Sequence, residues 1–591
     1  MLDILRNAMK ERGIDWLIIM SKDPHLSEYT AKCDKYREAV SHFTGSAGTL
    51  VISEDGALLW TDMRYHLQAE KELEGSGITL MKYGMPSVPA WESWLFEHVW
   101  EGQCVGVDLM TMSFDRYKIL AQRLPSSVQI ADSHDLLMQC VDTGKRSFNE
   151  IINVPEEKSG MSTAAKIQKL RERISKRYVS DESYTYILSD LASVMWLLNI
   201  RGCDIEYVPV AYAYVLVSGY DITLFASRKN ITDECRAALE EAGVKIKEYS
   251  TFYASLDDIA TDVVLADPFF NNSRILSRFF DEGRFVECDD TYLIQKAYKN
   301  AAETCGMRSA HIKDAVVMIR FIRKIKEMAI KGELTDEYSI ARMLDDMRLE
   351  AGCSSLSFET ICAYGDNTAI VHYGVTKDAA KDVESKGFLL VDSGGQYKCE
   401  GTTDITRTIS LGELSEEEKH VYTTVLKGNL RLMAMTFPEG FCGTMLDSVA
   451  ESPLWDEGMY CGHGIGHGVG CYLSVHESEA RISRSTSERE VAFRPGIIVS
   501  DEPGVYMAGK FGVRLENLLL TVRSDDHDGH RMCAFEPLTL VPFDKEAIDC
   551  SLLSYKEKKI LSDYNALILE KLTPYLDKDD ICWLKDNIDI M

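Results

Sequence analysis

Apolar positions change rhythm along the chain, and the changes divide it into three stretches. In the first, segments with a helical period of apolar residues alternate with short apolar runs. LDILRNAMKERG predicts a helix, DWLIIM a strand, and TLVISEDGALLWTD a hairpin turned at Glu54, Asp55 and Gly56. HLQAEKELEG then predicts a helix and ITLMKY a strand. PAWESWLFEHVW and SFDRYKILAQRL predict amphipathic helices on either side of the strand VGVD. Such alternation marks an α/β domain, expected over residues 1–155.

The charged, polar passage EEKSGMSTAAK, residues 156–166, reads as a linker. A second α/β pattern runs over residues 156–298. TAAKIQKLRERISKR is its first helix, VPVAYAYVLVS and DITLFAS are strands across a Gly219-Tyr220 turn, and DECRAALEEAG is a helix ended by Gly243. The third stretch, 299–591, opens with one long amphipathic helix, capped by Asn300 with Glu303 three residues on. TDEYSIARMLDDMRLEAG supplies a second helix. SSLSFETICAYGDNTAIVHYG and a hairpin holding Asp392 and Asp404 supply strands. SEEEKHVYTTVLKGNLRLMAMT begins with the capping box Ser415 and Glu418. A helical tail is expected from about Leu552, through YKEKKILSDYNALILEKL. The fold class is multidomain, two α/β domains followed by an α+β domain with a C-terminal helical extension.

Composition narrows the functions. At 591 residues the chain exceeds what one hydrophobic core supports. Its 65 basic and 93 acidic residues leave a net charge of −28, which excludes nucleic acid as a bulk partner, since phosphate binding needs a basic footprint. The stretch MLDILRNAMKERGIDWLIIM lacks a basic region followed by a long apolar run, so no signal peptide is expected. No apolar run approaches a membrane span. Sixteen cysteines occur without a C-x-x-C pair and read as thiols, pointing to the cytoplasm. FTGSAG lacks the strand and lysine context of a phosphate-binding loop and is read as a Gly-rich turn.

The chemistry concentrates between Phe388 and Glu516, in LLVDSGGQY (Asp392), GTTDITRT (Asp404), GHGIGHGVG (His467), SDEPGVY (Glu502) and GVRLENLLLT (Glu516). Four carboxylates and an imidazole converge only if cations accompany them. Two divalent ions would balance the four negative charges and leave room for a bridging hydroxide, and an oxygen-rich set suits hard ions such as Mn²⁺. In GHGIGHGVG, glycine occupies 462, 464, 466, 468 and 470, too many for a helix. An extended segment is expected, with histidines on one face and bare backbone on the other. Arg514 and Glu516 are expected to share a strand face by period two.

These segments, in this order, resemble the pita-bread metallopeptidases, the family of methionine aminopeptidase, prolidase and aminopeptidase P. The resemblance implies metal ligands at Asp392, Asp404, His467, Glu502 and Glu516. It implies substrate-binding and proton-handling histidines at His372, His463 and His476, with Arg514 orienting a ligand. The family usually spaces its two aspartates eleven apart. Here the gap is twelve, with the extra residue placed in YKCEG, where a hairpin turn can absorb it.

DPHLSEY, SHFTGSAGT and LLWTDMRYHLQAEKEL resemble the creatinase-like N-terminal domain of three-domain aminopeptidases P, and ASVMWLLNIRGCDIEYVPV resembles their second domain. The resemblance implies a homodimeric, Mn²⁺-dependent aminopeptidase that releases the first residue from peptides with proline second. Glu502 would act as both ligand and base. Prolidase is the first alternative, set aside because about 298 residues precede the catalytic stretch. A metal-free creatinase-like enzyme and a binding-only protein, as in histone chaperones of this fold, are disfavoured by the complete ligand set.

Overall fold

Several helices begin where the sequence supplies a side-chain oxygen for their unpaired amide groups. The computed structural model describes residues 1–179, 183–288, 292–484 and 490–589. The helix Ala301–Lys331 starts at a capping box of Asn300 and Glu303, and Glu416–Met433 at one of Ser415 and Glu418. Gly332 closes the first of these in the left-handed conformation. Tyr555–Leu572 carries a third capping box, Ser554 with Glu557. A further helix, Lys578–Ile588, lies beyond it, capped by the Asp577 side chain. It continues the helical tail expected from about Leu552.

The described chain forms two compact units, Met1–Glu156 with Met161–Leu293, and Glu157–Gly160 with Ile294–Met591. The first holds two six-stranded sheets. One runs Thr79–Lys82, Ala57–Thr61, Thr49–Ile52, Trp16–Met20, Cys104–Val107, Gln129–Asp132. The other runs Val244–Glu248, Ile222–Ala226, Tyr214–Val217, Tyr184–Leu188, Val263–Ala266, Phe285–Glu287. Both read across as one parallel, two antiparallel and two parallel pairings. The hairpin at Glu54–Gly56 and the turn at Gly219-Tyr220 make the corresponding antiparallel steps. Helices such as Leu2–Arg12 and Thr163–Arg177 bury apolar faces against these sheets. The expected linker is partly helical, since Thr163–Arg177 begins within it.

In the second unit, a six-stranded sheet runs Thr436–Pro438, His530–Pro537, Asn517–His527, Ile498–Asp501, Gly466–Gly468, Glu477–Ile482. A three-stranded sheet runs Ile361–Tyr364, Phe388–Ser393, Ile405–Ser410. One continuous apolar core joins the helices Ala301–Lys331, Glu416–Met433 and Tyr555–Leu572 to these strands, through Met318, Leu389, Val425, Leu519 and Ile568. Arg514 ends the strand Phe511–Arg514, whereas Glu516 precedes Asn517–His527. The two therefore do not share one strand, because the chain changes sheets between them. All sixteen cysteines are free thiols, and among the described residues no helix is long and apolar enough to cross a membrane.

Candidate metal centre

A single hairpin carries two of the acidic residues. Asp392 on Phe388–Ser393 lies opposite Thr406 on Ile405–Ser410, and the same register continues to Tyr397 opposite Gly401. The turn is Lys398, Cys399 and Glu400, with Cys399 at φ 56°. The twelve-residue spacing therefore leaves both strands in register. Side chains two residues apart share a face, so Asp404 falls beside Thr406 on the Asp392 side.

His467 comes from Gly466–Gly468, in the sheet between Glu477–Ile482 and Ile498–Asp501. A Cβ at Gly466 would strike the Ser500 carbonyl, and one at Gly468 the Glu477 carbonyl. The bare backbone thus lets neighbouring strands close in. The regular strand is shorter than the glycine alternation suggested, and its pairing shifts between His467 and Gly468. His467 Nδ1 lies 3.0 Å from the Gly468 carbonyl, which only accepts, so this nitrogen carries the proton. The other nitrogen, Nε2, stands 3.5 Å from Asp404 Oδ2 and 3.5 Å from Glu502 Oε1. Glu502 is set by its backbone N–H to Ile465 O at 2.8 Å, and its Oε1 accepts from Ser500 Oγ at 3.1 Å. Glu516 donates its backbone N–H to Thr406 O at 3.1 Å, and its Oε2 accepts from Thr406 Oγ1 at 2.9 Å.

Arg514 donates to Asp392 Oδ2 at 2.7 Å, to Thr406 Oγ1 at 3.1 Å and to the Tyr506 hydroxyl at 2.9 Å. Tyr506 in turn lies 2.7 Å from His463 Nε2. His463 is therefore tied to Asp392 through Tyr506 and Arg514. The His476 ring packs edge-on against His467 with centroids 4.3 Å apart. His372 is half-buried on a separate segment, after the turn Gly365–Ala369. That turn packs on Phe511–Arg514 through the Gly512 N–H to Thr368 Oγ1, at 2.6 Å. Tyr506, Thr406 and Ser500 were not singled out in the sequence. Thr406 and Ser500 each lie two residues from a proposed ligand, the even spacing of one strand face, whereas Tyr506 lies on the separate strand Gly504–Met507.

The electrostatics call for positive charge. Burial, reinforced by Asp404 and Glu502 and opposed by Arg514, raises the Asp392 carboxyl to about 6. Burial and the surrounding carboxylates push Glu516 well above its ordinary range. Burial alone would lower His467, yet Asp404 and Glu502 lift it to about 9. Asp392 Oδ1 and Glu516 Oε1 are buried and accept no hydrogen bond. Donor atoms of Asp404, His467 and Glu516 all lie within 4.8 Å of one another. Unpaired carboxylate oxygens and an imidazole nitrogen with its other proton held elsewhere are the donors a hard divalent ion takes. The residues fit such a group.

Comparison with known proteins finds matches along nearly the whole chain. Residues 305–523 match metallopeptidase family M24, and 531–590 match the C-terminal region of that family. Residues 1–140 and 142–303 each match a creatinase/prolidase N-terminal domain. A probable Xaa-Pro aminopeptidase P of Pyricularia oryzae is 35% identical over 606 residues, covering 98% of this chain and 97% of the relative. One of Fusarium vanettenii is 36% identical over 607 residues, with the same coverage of 98% and 97%. Among solved structures, the X-prolyl aminopeptidase of Caenorhabditis elegans, a cytosolic enzyme with a di-nuclear active site, superposes with a TM-score of 0.94. It is 30% identical, covering 100% of this chain and 99% of that one.

Proposed function

The chain belongs to metallopeptidase family M24, and from that premise we propose that it is an Xaa-Pro aminopeptidase. It hydrolyses the bond between the first residue and a proline in second position. The observation that carries this is the extent of the match. Similarity to Xaa-Pro aminopeptidase P relatives runs over 98% of the chain, the N-terminal domains included, and is not confined to the metallopeptidase segment.

Asp392, Asp404, His467, Glu502 and Glu516 would hold two divalent metal ions, and the oxygen-rich set favours Mn²⁺. Bound there, the ions would activate a water and polarise the scissile carbonyl. Glu502 takes the proton of the attacking water and returns it to the proline nitrogen. That nitrogen is a tertiary amide with no proton of its own, so it must be protonated as the C–N bond breaks. The products are the free first amino acid and a peptide beginning with proline. His463, with His476 and His372, holds the substrate and hydrogen-bonds the oxygen that gains charge. Arg514 keeps Asp392 oriented, and its bond to Tyr506 keeps His463 in place.

The same reading divides the chain into domains at 1–155, 156–298 and 299–591, makes it a homodimer, and places it in the cytoplasm. The free thiols suit a reducing compartment. Light scattering that gave a 66.6 kDa particle at micromolar concentration would contradict the dimer.

Kinetics on Arg-Pro-Pro, Arg-Ala-Pro and Arg-Pro test the activity. Release of arginine from Arg-Pro-Pro is expected, with a strong loss for Arg-Ala-Pro, because proline's fixed φ and ring are no longer presented. Activity confined to Arg-Pro would make the enzyme a dipeptidase, and equal rates on the first two would defeat the proline preference.

A further inference from the structure

Glu516 sits where no ladder holds it. The strand Phe511–Arg514 ends before it and Asn517–His527 begins after it, so its peptide groups need partners outside the sheets. They find them on one dipeptide of the neighbouring strand. The Glu516 N–H goes to Thr406 O at 3.1 Å, and the Glu516 carbonyl accepts from Arg407 Nη1 at 2.6 Å.

Arg407 is 1% exposed and has no carboxylate among its hydrogen-bond partners. Its Nη1 also donates to Thr406 O at 3.0 Å and its Nε to Pro542 O at 3.2 Å. Nη2 donates to Asn517 Oδ1 at 2.8 Å and to Val541 O at 2.6 Å. The guanidinium lies over the Phe543 ring, 4.5 Å from its centroid. The Tyr564 hydroxyl, from the helix Tyr555–Leu572, stands 3.4 Å from Nη2 and donates either to Val541 O at 2.9 Å, a carbonyl it shares with Arg407, or to Thr539 O at 2.9 Å.

A buried cation satisfied only by neutral dipoles is a poor stabiliser, and an apolar side chain of the same volume would often serve stability as well. A planar fork of five donors does what an apolar group does not. It fixes several carbonyls at once in one plane. Two of those belong to Thr406 and Glu516, the pair whose side chains meet at 2.9 Å.

We infer that Arg407 and Tyr564 are positioning residues for the Glu516 carboxylate, making the helix Tyr555–Leu572, through Tyr564, part of the apparatus that holds metal. The inference rests on Glu516 being a ligand, as proposed above. In Arg407→Lys the charge remains and the fork is lost. In Tyr564→Phe only the hydroxyl is lost, so folding is spared. Leu584→Ala, a core residue of the last helix, opens a cavity there without removing a hydrogen-bond partner of Arg407 or Tyr564.

Mn²⁺ affinity is measured by calorimetry on metal-free full-length protein, alongside the melting temperature of the same metal-free samples. Arg407→Lys is expected to weaken the weaker Mn²⁺ step about 10- to 100-fold, the usual range for loss of a partner behind a ligand, and Tyr564→Phe several-fold. Leu584→Ala should lower the melting temperature and leave Mn²⁺ affinity unchanged. Wild-type affinity in both Arg407→Lys and Tyr564→Phe overturns the inference, as does equal weakening by Leu584→Ala. A wild-type protein that takes up no Mn²⁺ overturns the metal-centre reading itself.

Discussion

Two histidines four residues apart have different surroundings, and the difference has measurable consequences. His467 directs Nε2 at Asp404 and Glu502 with its other nitrogen committed to Gly468 O. His463 directs Nε2 at a tyrosine hydroxyl. His467→Ala should therefore lose metal from one position as well as activity. His463→Ala should keep its metal content and lose activity by about 100-fold or more, the range of a positioned proton-handling group. Elemental analysis of both variants decides it, and a metal-poor His463→Ala beside a fully loaded His467→Ala would reverse the assignments. The proposed ligands stood out in the sequence because most stand in a short segment with its own chemistry: aspartates flanking a hairpin turn, histidine among glycines, glutamate before proline. Tyr506 and Arg407 were not. Tyr506 matters through His463, and Arg407 through Glu516, which is 109 residues away. No local pattern reports such contacts.

At the scale of elements, the seam between the two sheets of the first unit is as polar as it is apolar. His25, 2% exposed, lies 2.8 Å from Ser189 O through Nδ1 and 2.8 Å from the Tyr249 hydroxyl through Nε2, and its ring packs against Tyr214 at 4.3 Å. Arg146 crosses the same seam, donating to Asp34 at 2.6 Å and to the Tyr249 hydroxyl at 2.8 Å. Burial, with Arg146 adding to it and Asp23 opposing, depresses His25 to about 4. The unfolded chain then binds the proton more tightly than the folded one, so this contribution is complete above about pH 6.5 and lost as pH falls through 4. Over that window the shift corresponds to about 3 kcal/mol. Wild type should accordingly lose about 3 kcal/mol of its stability advantage over His25→Gln between pH 7 and pH 4, read from urea unfolding of both proteins. An advantage that did not change with pH would mean that His25 binds its proton equally well in the folded and unfolded chain. Several helices and two hairpins of this unit were readable from periodicity, down to the turns at Gly56 and Gly219, whereas the helices His134–Cys140, Leu191–Leu198 and Ser273–Asp281 were not. The seam was not, because His25, Asp34 and Arg146 look like ordinary loop residues until the two sheets meet.

For the whole molecule, the proposed ligands all lie in the second unit, while the first has apolar clusters built from its own residues. Leu17, Leu50 and Leu59 build one cluster, and Ile187, Phe225 and Val264 another. Ions that bind only the folded second unit stabilise that unit, by about 2.7 kcal/mol for each site held at a hundred times its dissociation constant. Chelation should therefore act on one part of the chain. Hydrogen exchange with and without chelator is expected to show protection falling about a hundredfold for each ion removed, the equivalent of that free energy, in Phe388–Ser393 and Asn517–His527. Protection in Trp16–Met20 and Tyr184–Leu188 should stay where it was. The sign follows from charge: without cations, Asp392 and Glu516 are left buried among like charges, and only partial protonation relieves them. Returning Mn²⁺ should restore protection in the same strands and no others. A loss spread evenly over both sets of strands would mean that the metal stabilises the chain as one cooperative body, and an absence of any loss would remove the metal centre from the account of this protein's stability.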